Sequence, residues 1–379
     1  MRILIISTLK NFVWGGSEEL WFQTALYALE QGHIVSLLVF KKKASHQKIE
    51  LLKKNGCAVH YIGERKLVSP SLLKRYIFKF IRRSYTLKFS NRFQEIANIS
   101  TDLVLLSQAG VLDITYYDDL FTSLQNAEVP YAVINQHHFE NGKLDDKRTN
   151  SILNLFLGAK EVLFVSNRNR EVLERQIMKK LSNFKLVRNP LNLSVTTFVP
   201  WPISSIPRFA VVARLDVDFK GQDILLQTLS NAKWRNREFC IEFYGEGPDR
   251  EYIIQLIDFY GLANKAIVMG HANDVKQVWE QNQVLILASH SEGTPLSLVE
   301  AMLCGRPCIV TDVGDCGELI NDNVTGWLAY SSSVKSLDEA MERAWGQQHK
   351  WEAMGKKASD TILQYIDHHP GKTVLEYLT

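Results

Sequence analysis

No apolar run in this sequence is long enough to cross a bilayer. The stretch after Met1-Arg2, Ile3-Leu4-Ile5-Ile6, stops at Ser7, a strand's length and short of a secretory signal's apolar core. Cysteine is scarce and carries no pattern: Cys57, Cys240, Cys304, Cys308 and Cys316 are an odd number without zinc-ligand pairing. Inert thiols are therefore expected in place of a disulfide framework or a zinc site, and with them a reducing, cytoplasmic setting. No excess of one charge is present either. The 44 Lys and Arg nearly balance 41 Asp and Glu, which removes a nucleic-acid binder driven by bulk charge. Internal repeats and low-complexity tracts are missing too.

What is present is the composition of a globular protein, 46% apolar and 22% charged, on a chain of 379 residues, too long for one ordinary core. Short β-branched runs alternate with helical stretches. Strands are expected at Arg2–Ser7, Ile34–Phe40, Ala58–Ile62, Leu103–Leu106, Tyr131–Asn135 and Val162–Val165. A second set follows at Arg208–Ala213, Phe239–Tyr244, Ala266–Met269, Val284–Ala288 and Pro307–Thr311. Segments such as Glu18–Glu30, Arg170–Leu181, Asp249–Tyr260 and Pro295–Leu303 repeat their apolar residues at helical spacing. Continuous apolar strands alternating with helices predict parallel sheets covered on both faces. The alternation stalls between Arg188 and Pro207, which holds four of the ten prolines and reads as a linker. The expected architecture is α/β: two Rossmann-like, doubly wound domains, 1–188 and 189–360, the first completed by a C-terminal helix within 361–379. Ligands on such sheets lie beyond the carboxyl ends of the strands, so the two rims share one cleft.

Four segments suit a polyanion with a sugar and a nucleoside attached. Gly15-Gly16 follows the first strand and opens the first helix, with Ser17 as candidate cap, so backbone N–H groups can approach a phosphate. Arg214 ends a strand and Lys220 precedes the next helix, a fork-shaped and a point cation able to clamp a diphosphate. Gly245, in Tyr244-Gly245-Glu246-Gly247-Pro248, allows close backbone approach. Ser291-Glu292-Gly293-Thr294-Pro295-Leu296-Ser297-Leu298-Val299-Glu300 is the richest. Thr294 and Pro295 fit a helix cap and first turn, and two carboxylates, Glu292 and Glu300, sit at different depths to accept from hydroxyl pairs. Glu300 lies in an otherwise apolar helix, where burial demands a partner.

These residues resemble the retaining glycosyltransferases of family four (group 1), of the GT-B fold, from Arg2 to about Trp351 and most densely from Phe209 to Trp327. Glu292 and Glu300 look like the family's paired glutamates, Arg214 and Lys220 like its diphosphate-binding pair, and Gly15-Gly16 like its N-terminal glycine loop. Gly305-Arg306-Pro307 and Thr311-Asp312-Val313-Gly314 fit its last donor-domain strand. The chain departs from the family at Asp315, where a second glycine is usual. The family's histidine near the anomeric carbon corresponds to His137 or His138, with His137 preferred. The resemblance implies transfer of a hexosyl-type sugar from a nucleotide diphosphate donor to a hydroxyl acceptor, a glycan, a lipid-linked molecule or a small molecule. Retention then needs no enzyme nucleophile: the donor diphosphate takes the acceptor proton, helped by Arg214, Lys220 and the helix end at Pro295. No cofactor is implied, and sugar and base stay open.

Asp216-Val217-Asp218 could be a metal-binding string; lying between two cations, it is read as a solvated turn, and no metal is expected. Lys66–Arg92 holds eight cations and no carboxylate, with a basic amphipathic pattern over Leu72–Arg83. That pattern fits an anionic membrane surface on the cytoplasmic side, a core-packed helix with a wet basic face, or an anionic or lipid-linked acceptor. Two rival functions share these features: a nucleotide-sugar epimerase of the same fold, and a non-catalytic nucleotide-sugar-binding partner subunit.

Overall fold

The computed structural model describes residues 1–10, 12–64, 90–140, 142–191, 193 and 199–379; Leu72–Arg83 lies outside them. Among these residues thirteen strands form two parallel sheets. The first runs β3-β2-β1-β4-β5-β6-β7, with β1 Arg2–Ser7, β2 Ile34–Val39, β3 Ala58–Tyr61, β4 Leu103–Gln108, β5 Tyr131–Asn135, β6 Glu161–Phe164 and β7 Phe184–Leu186. The second runs β10-β9-β8-β11-β12-β13, with β8 Arg208–Val212, β9 Cys240–Tyr244, β10 Ala266–Gly270, β11 Val284–Leu287, β12 Cys308–Thr311 and β13 Gly326–Ala329. Strand order reverses between β1 and β4 in one sheet and between β8 and β11 in the other. Those two switch points open the crevices in which such sheets bind ligands.

The central strands are buried from end to end, as at Leu103–Gln108 and Tyr131–Asn135, because helices cover both faces. Two strands have no counterpart in the sequence pattern. β7 is three residues at a sheet edge, and β13 begins with Gly326, where a Cβ would lie 2.3 Å from the Cys308 carbonyl oxygen. Glycine is what lets β13 approach β12.

Helices that position the site are α1 (Gly16–Glu30), α2 (Asn167–Ile177), α3 (Leu296–Leu303), α4 (Trp351–Ile362) and α5 (Pro370–Leu378). The chain ends on the first sheet's side: Val374, Leu375 and Leu378 share a core with Leu20, Trp21, Ile3 and Leu105. Gly371 permits this, since a Cβ there would lie 2.6 Å from the backbone C and O of Gln23. Neither backbone can yield alone, so Gly371→Ala is expected to cost about 1–3 kcal/mol, the usual scale for overpacking. Denaturant unfolding checks it, and an unchanged midpoint would show that α5 is not held there.

Candidate active site

The site forms where the carboxyl ends of both sheets meet. On the first sheet, β1 leads through Thr8–Gly15 into α1. The N-cap of α1 is Gly15 in extended conformation without a side-chain cap, so Ser17 does not take the expected role. This loop is held from beneath by a buried ion pair. Lys43 Nζ lies 2.7 Å from Glu18 and donates to the carbonyls of Phe12 and Val13 at 3.4 Å, while the Ser7 hydroxyl donates to Glu18. A fully buried pair of this kind adds little net stability and much geometric definition. It places the Phe12 ring 4.3 Å from the Arg214 guanidinium of the other domain. Gly16 sits against α3, a Cβ there falling 3.2 Å from Leu296 Cδ1.

On the second sheet, Arg214 follows β8 and is flanked by Phe12 and, at 5.4 Å, Phe219. Its Nη2 donates to Asp216 Oδ2 at 2.6 Å, and Asp216 is buried. The solvated-turn reading of Asp216-Val217-Asp218 is thus corrected for Asp216, which orients Arg214; Asp218 alone is exposed. Among the described residues no cluster of His, Cys, Asp or Glu is arranged to hold a metal. Lys220 donates to Glu292 Oε1 at 2.6 Å, and that oxygen also accepts from Ser289 Oγ at 2.7 Å. One candidate cation and one candidate carboxylate therefore meet directly. Gly245 has φ +143°, and a Cβ on it would strike the Ala213 carbonyl at 2.0 Å, so it supports the strand end before Arg214 by close packing.

The segment before α3 crosses the domain boundary. Gly293 packs on the first domain, where a Cβ would fall 2.2 Å from the Gln136 carbonyl oxygen. Pro295, not Thr294, is the N-cap of α3, and it accepts from Leu298 N at 3.1 Å. The Thr294 hydroxyl turns away from the helix to Val165 O at 2.8 Å and Asp315 Oδ2 at 2.7 Å. The expected side-chain cap is thereby corrected: Thr294 ties domains together, and the first N–H groups of α3, at Leu296 and Ser297, keep the geometry of an uncapped helix start. Glu300 is one turn inside α3 and only 3% exposed.

The two histidines diverge. His138 is buried and its Nε2 meets Gln176 Oε1 of α2 at 2.5 Å. His137 Nε2 lies 2.7 Å from Ser291 Oγ across the cleft, beside Phe219 and Phe139. Burial pushes the His137 imidazole down to about 4; Glu292 opposes the shift, while Lys220 and Arg214 add to it. Ser289, Ser291, Phe12 and Phe219 were not singled out as site residues in the sequence; Ser291 meets His137 and Phe12 meets Arg214 only through the fold, while Ser289 and Phe219 act on the nearby Glu292 and Arg214. The thiols are inert: all five are free, and burial raises Cys57 and Cys304 to about 12.

Two parallel sheets with opposed switch points, a cation pair at one rim and an uncapped helix start beside it define a two-domain α/β architecture with a shared cleft. Comparison gives similarities to known proteins. Residues 204–361 match the family model of the glycosyl transferases group 1. Its relatives include N-acetyl-alpha-D-glucosaminyl L-malate synthase of Bacillus anthracis, 27% identical over 36% of this chain and 35% of that protein. One component of human phosphatidylinositol N-acetylglucosaminyltransferase is 25% identical over 87% of this chain and 65% of its own length. The chain thus spans less than two thirds of the length of these curated relatives. The Anabaena protein HepE in complex with UDP-glucose superposes with TM-score 0.74 at 17% identity, covering 100% of this chain and 99% of that one, which fixes the fold as GT-B.

The lowered His137 has a consequence for stability. Its ordinary value is about 6.5, so between roughly 6.5 and 4 the unfolded chain takes a proton that the folded one refuses. That contribution costs nothing above the window and costs increasingly as pH falls through it. His137→Gln should therefore lose less stability than wild type from pH 6.5 to 4 in parallel denaturant titrations. Identical pH slopes would show that the ring is not held neutral.

Proposed function

We propose that the protein is a retaining glycosyltransferase of family four, taking a hexosyl-type sugar from a nucleotide diphosphate donor. The observation that carries this reading is the convergence of Arg214, Lys220, Glu292 and the start of α3 at one switch point. Arg214 and Lys220 take the diphosphate, whose negative charge grows as the glycosidic bond breaks, so they stabilise the transition state more than the ground state. Glu292 accepts from sugar hydroxyls as Lys220 turns to the diphosphate, and Glu300 accepts from the ribose. His137, neutral at working pH, presents its ring to the reacting face. The acceptor hydroxyl attacks from the side the diphosphate leaves, and the departing phosphate oxygen takes its proton. No metal is needed, because the cations already neutralise the diphosphate. UDP-sugars are the first donors to try, given the UDP-glucose bound by HepE and the N-acetylglucosaminyl names of several relatives. The acceptor is a hydroxyl of a glycan, a lipid-linked molecule or a small molecule.

A panel of radiolabelled nucleotide sugars tests the proposal, with hydrolysis serving as readout in the absence of acceptor. Turnover insensitive to EDTA is expected. Arg214→Ala and Lys220→Ala should each lose about 2–4 kcal/mol of transition-state stabilisation, the scale of a lost oxyanion donor. An epimerised product, or binding with no bond cleavage, would support the epimerase or the non-catalytic partner. Undiminished turnover in both variants would remove the diphosphate assignment.

A further inference from the structure

Asp315 stands where the sequence departs from the family's second glycine, and its side chain is fully buried. Its N–H donates to Gly293 O at 2.9 Å. Its Oδ2 accepts from Thr294 Oγ1 at 2.7 Å, from the Tyr365 hydroxyl at 2.7 Å and from Arg188 Nη1 at 3.4 Å. Main chain and side chain of one residue thus hold Gly293 and Thr294 together. Arg188, the first residue of the linker, lies 3.6 Å above the Tyr365 ring, donates to its hydroxyl, and reaches Val165 O at 3.4 Å. Four segments meet here: the end of β6, the linker, the turn before α3 and the return of the chain after α4.

A count of protons shows what the carboxylate does. The Tyr365 hydroxyl accepts from Arg188 and donates to Asp315 Oδ2 at 2.7 Å, its shorter contact beside Thr294 Oγ1 at 3.1 Å. Thr294 has one proton and three oxygens in reach, Asp315 Oδ2, Val165 O and the Tyr365 hydroxyl. Asp315 accepts on one buried oxygen and stands opposite the partly exposed Arg188 guanidinium, and a carboxylate side chain serves both. The glycine of the family could do neither.

We propose that Asp315 is a positioning residue that fixes the donor-binding turn Gly293–Leu296 to the interdomain linker at Arg188 and to Tyr365. This rests on the reading of that turn as the donor site. Without the carboxylate, Thr294 keeps Val165 O and the Tyr365 hydroxyl at 3.1 Å but loses its anionic partner, Arg188 loses its charge partner, and the start of α3 is released relative to Lys220.

Calorimetric titration with UDP and with GDP, beside amide hydrogen exchange of the free protein, tests it on wild type, Asp315→Asn, Tyr365→Phe and the double variant. Asp315→Asn keeps the shape and removes the charge. It should weaken nucleotide binding about tenfold, the scale of one charge-assisted hydrogen bond, and speed exchange at residues 294–299 above the rest of the chain. Tyr365→Phe should shift both readouts less, and the double variant should lose less than the sum, because the two residues share one hydrogen bond. Unchanged affinity in Asp315→Asn, or faster exchange spread evenly over the chain, overturns the proposal. If wild type binds neither nucleotide, the donor-site reading falls, and local against uniform exchange still decides the positioning role. If Asp315→Asn does not fold, Tyr365→Phe carries the same comparison.

Discussion

A Cβ at position 293 would lie 2.2 Å from the Gln136 carbonyl oxygen, and a Cβ at position 314 would lie 2.2 Å from the Gly293 carbonyl oxygen. Three backbones, one from the first domain and two from the second, are therefore stacked closer than any side chain allows. This contact brings His137, next to Gln136, beside Ser291 and Glu292, next to Gly293. At position 314, φ is +52°, so glycine is required there twice over, by conformation and by space. The seam brings the two rims together, as His137 on Ser291 and Phe12 on Arg214 show.

Charge in the seam is paired almost everywhere it is buried. Glu18 has Lys43, Asp216 has Arg214, Glu292 has Lys220, and Asp315 has Arg188. The pairs differ in exposure and in what they can do. Glu18–Lys43 is sealed and shapes a loop. Lys220–Glu292 is less sealed, with part of the Lys220 side chain exposed, and under the proposed function a diphosphate and its sugar would replace each partner for the other. Arg214 keeps Asp216 on one edge and aromatic rings on either side, which leaves its remaining donors aimed and its rotamer fixed.

The parallel α/β architecture was legible because its strands are apolar on both faces, a pattern local to each strand. The places of Arg214 just after β8, of Glu292 just before α3 and of Glu300 inside it were likewise marked by short sequence windows. The strands Phe184–Leu186 and Gly326–Ala329 were not, being too short for periodicity and, in one case, opened by a glycine. Caps at Ser17 and Thr294 misled because both residue types favour caps, while the fold supplies Gly15 and Pro295 and spends the Thr294 hydroxyl between domains. The contact of Phe12 with Arg214 had no local trace, since it joins residues some two hundred positions apart. The two adjacent histidines could not be separated by spacing; only the path of α2 sends one of them to Gln176.

The central claim is that one switch point, between β8 and β11, holds a diphosphate. A crystal structure grown with a nucleoside diphosphate tests it most directly. The account predicts density for the two phosphates between Arg214, Lys220 and the N–H groups at Leu296 and Ser297, with Lys220 Nζ moved from Glu292 to a phosphate oxygen. A nucleotide bound with its phosphates out of reach of both cations, and the Lys220–Glu292 pair intact, would contradict it.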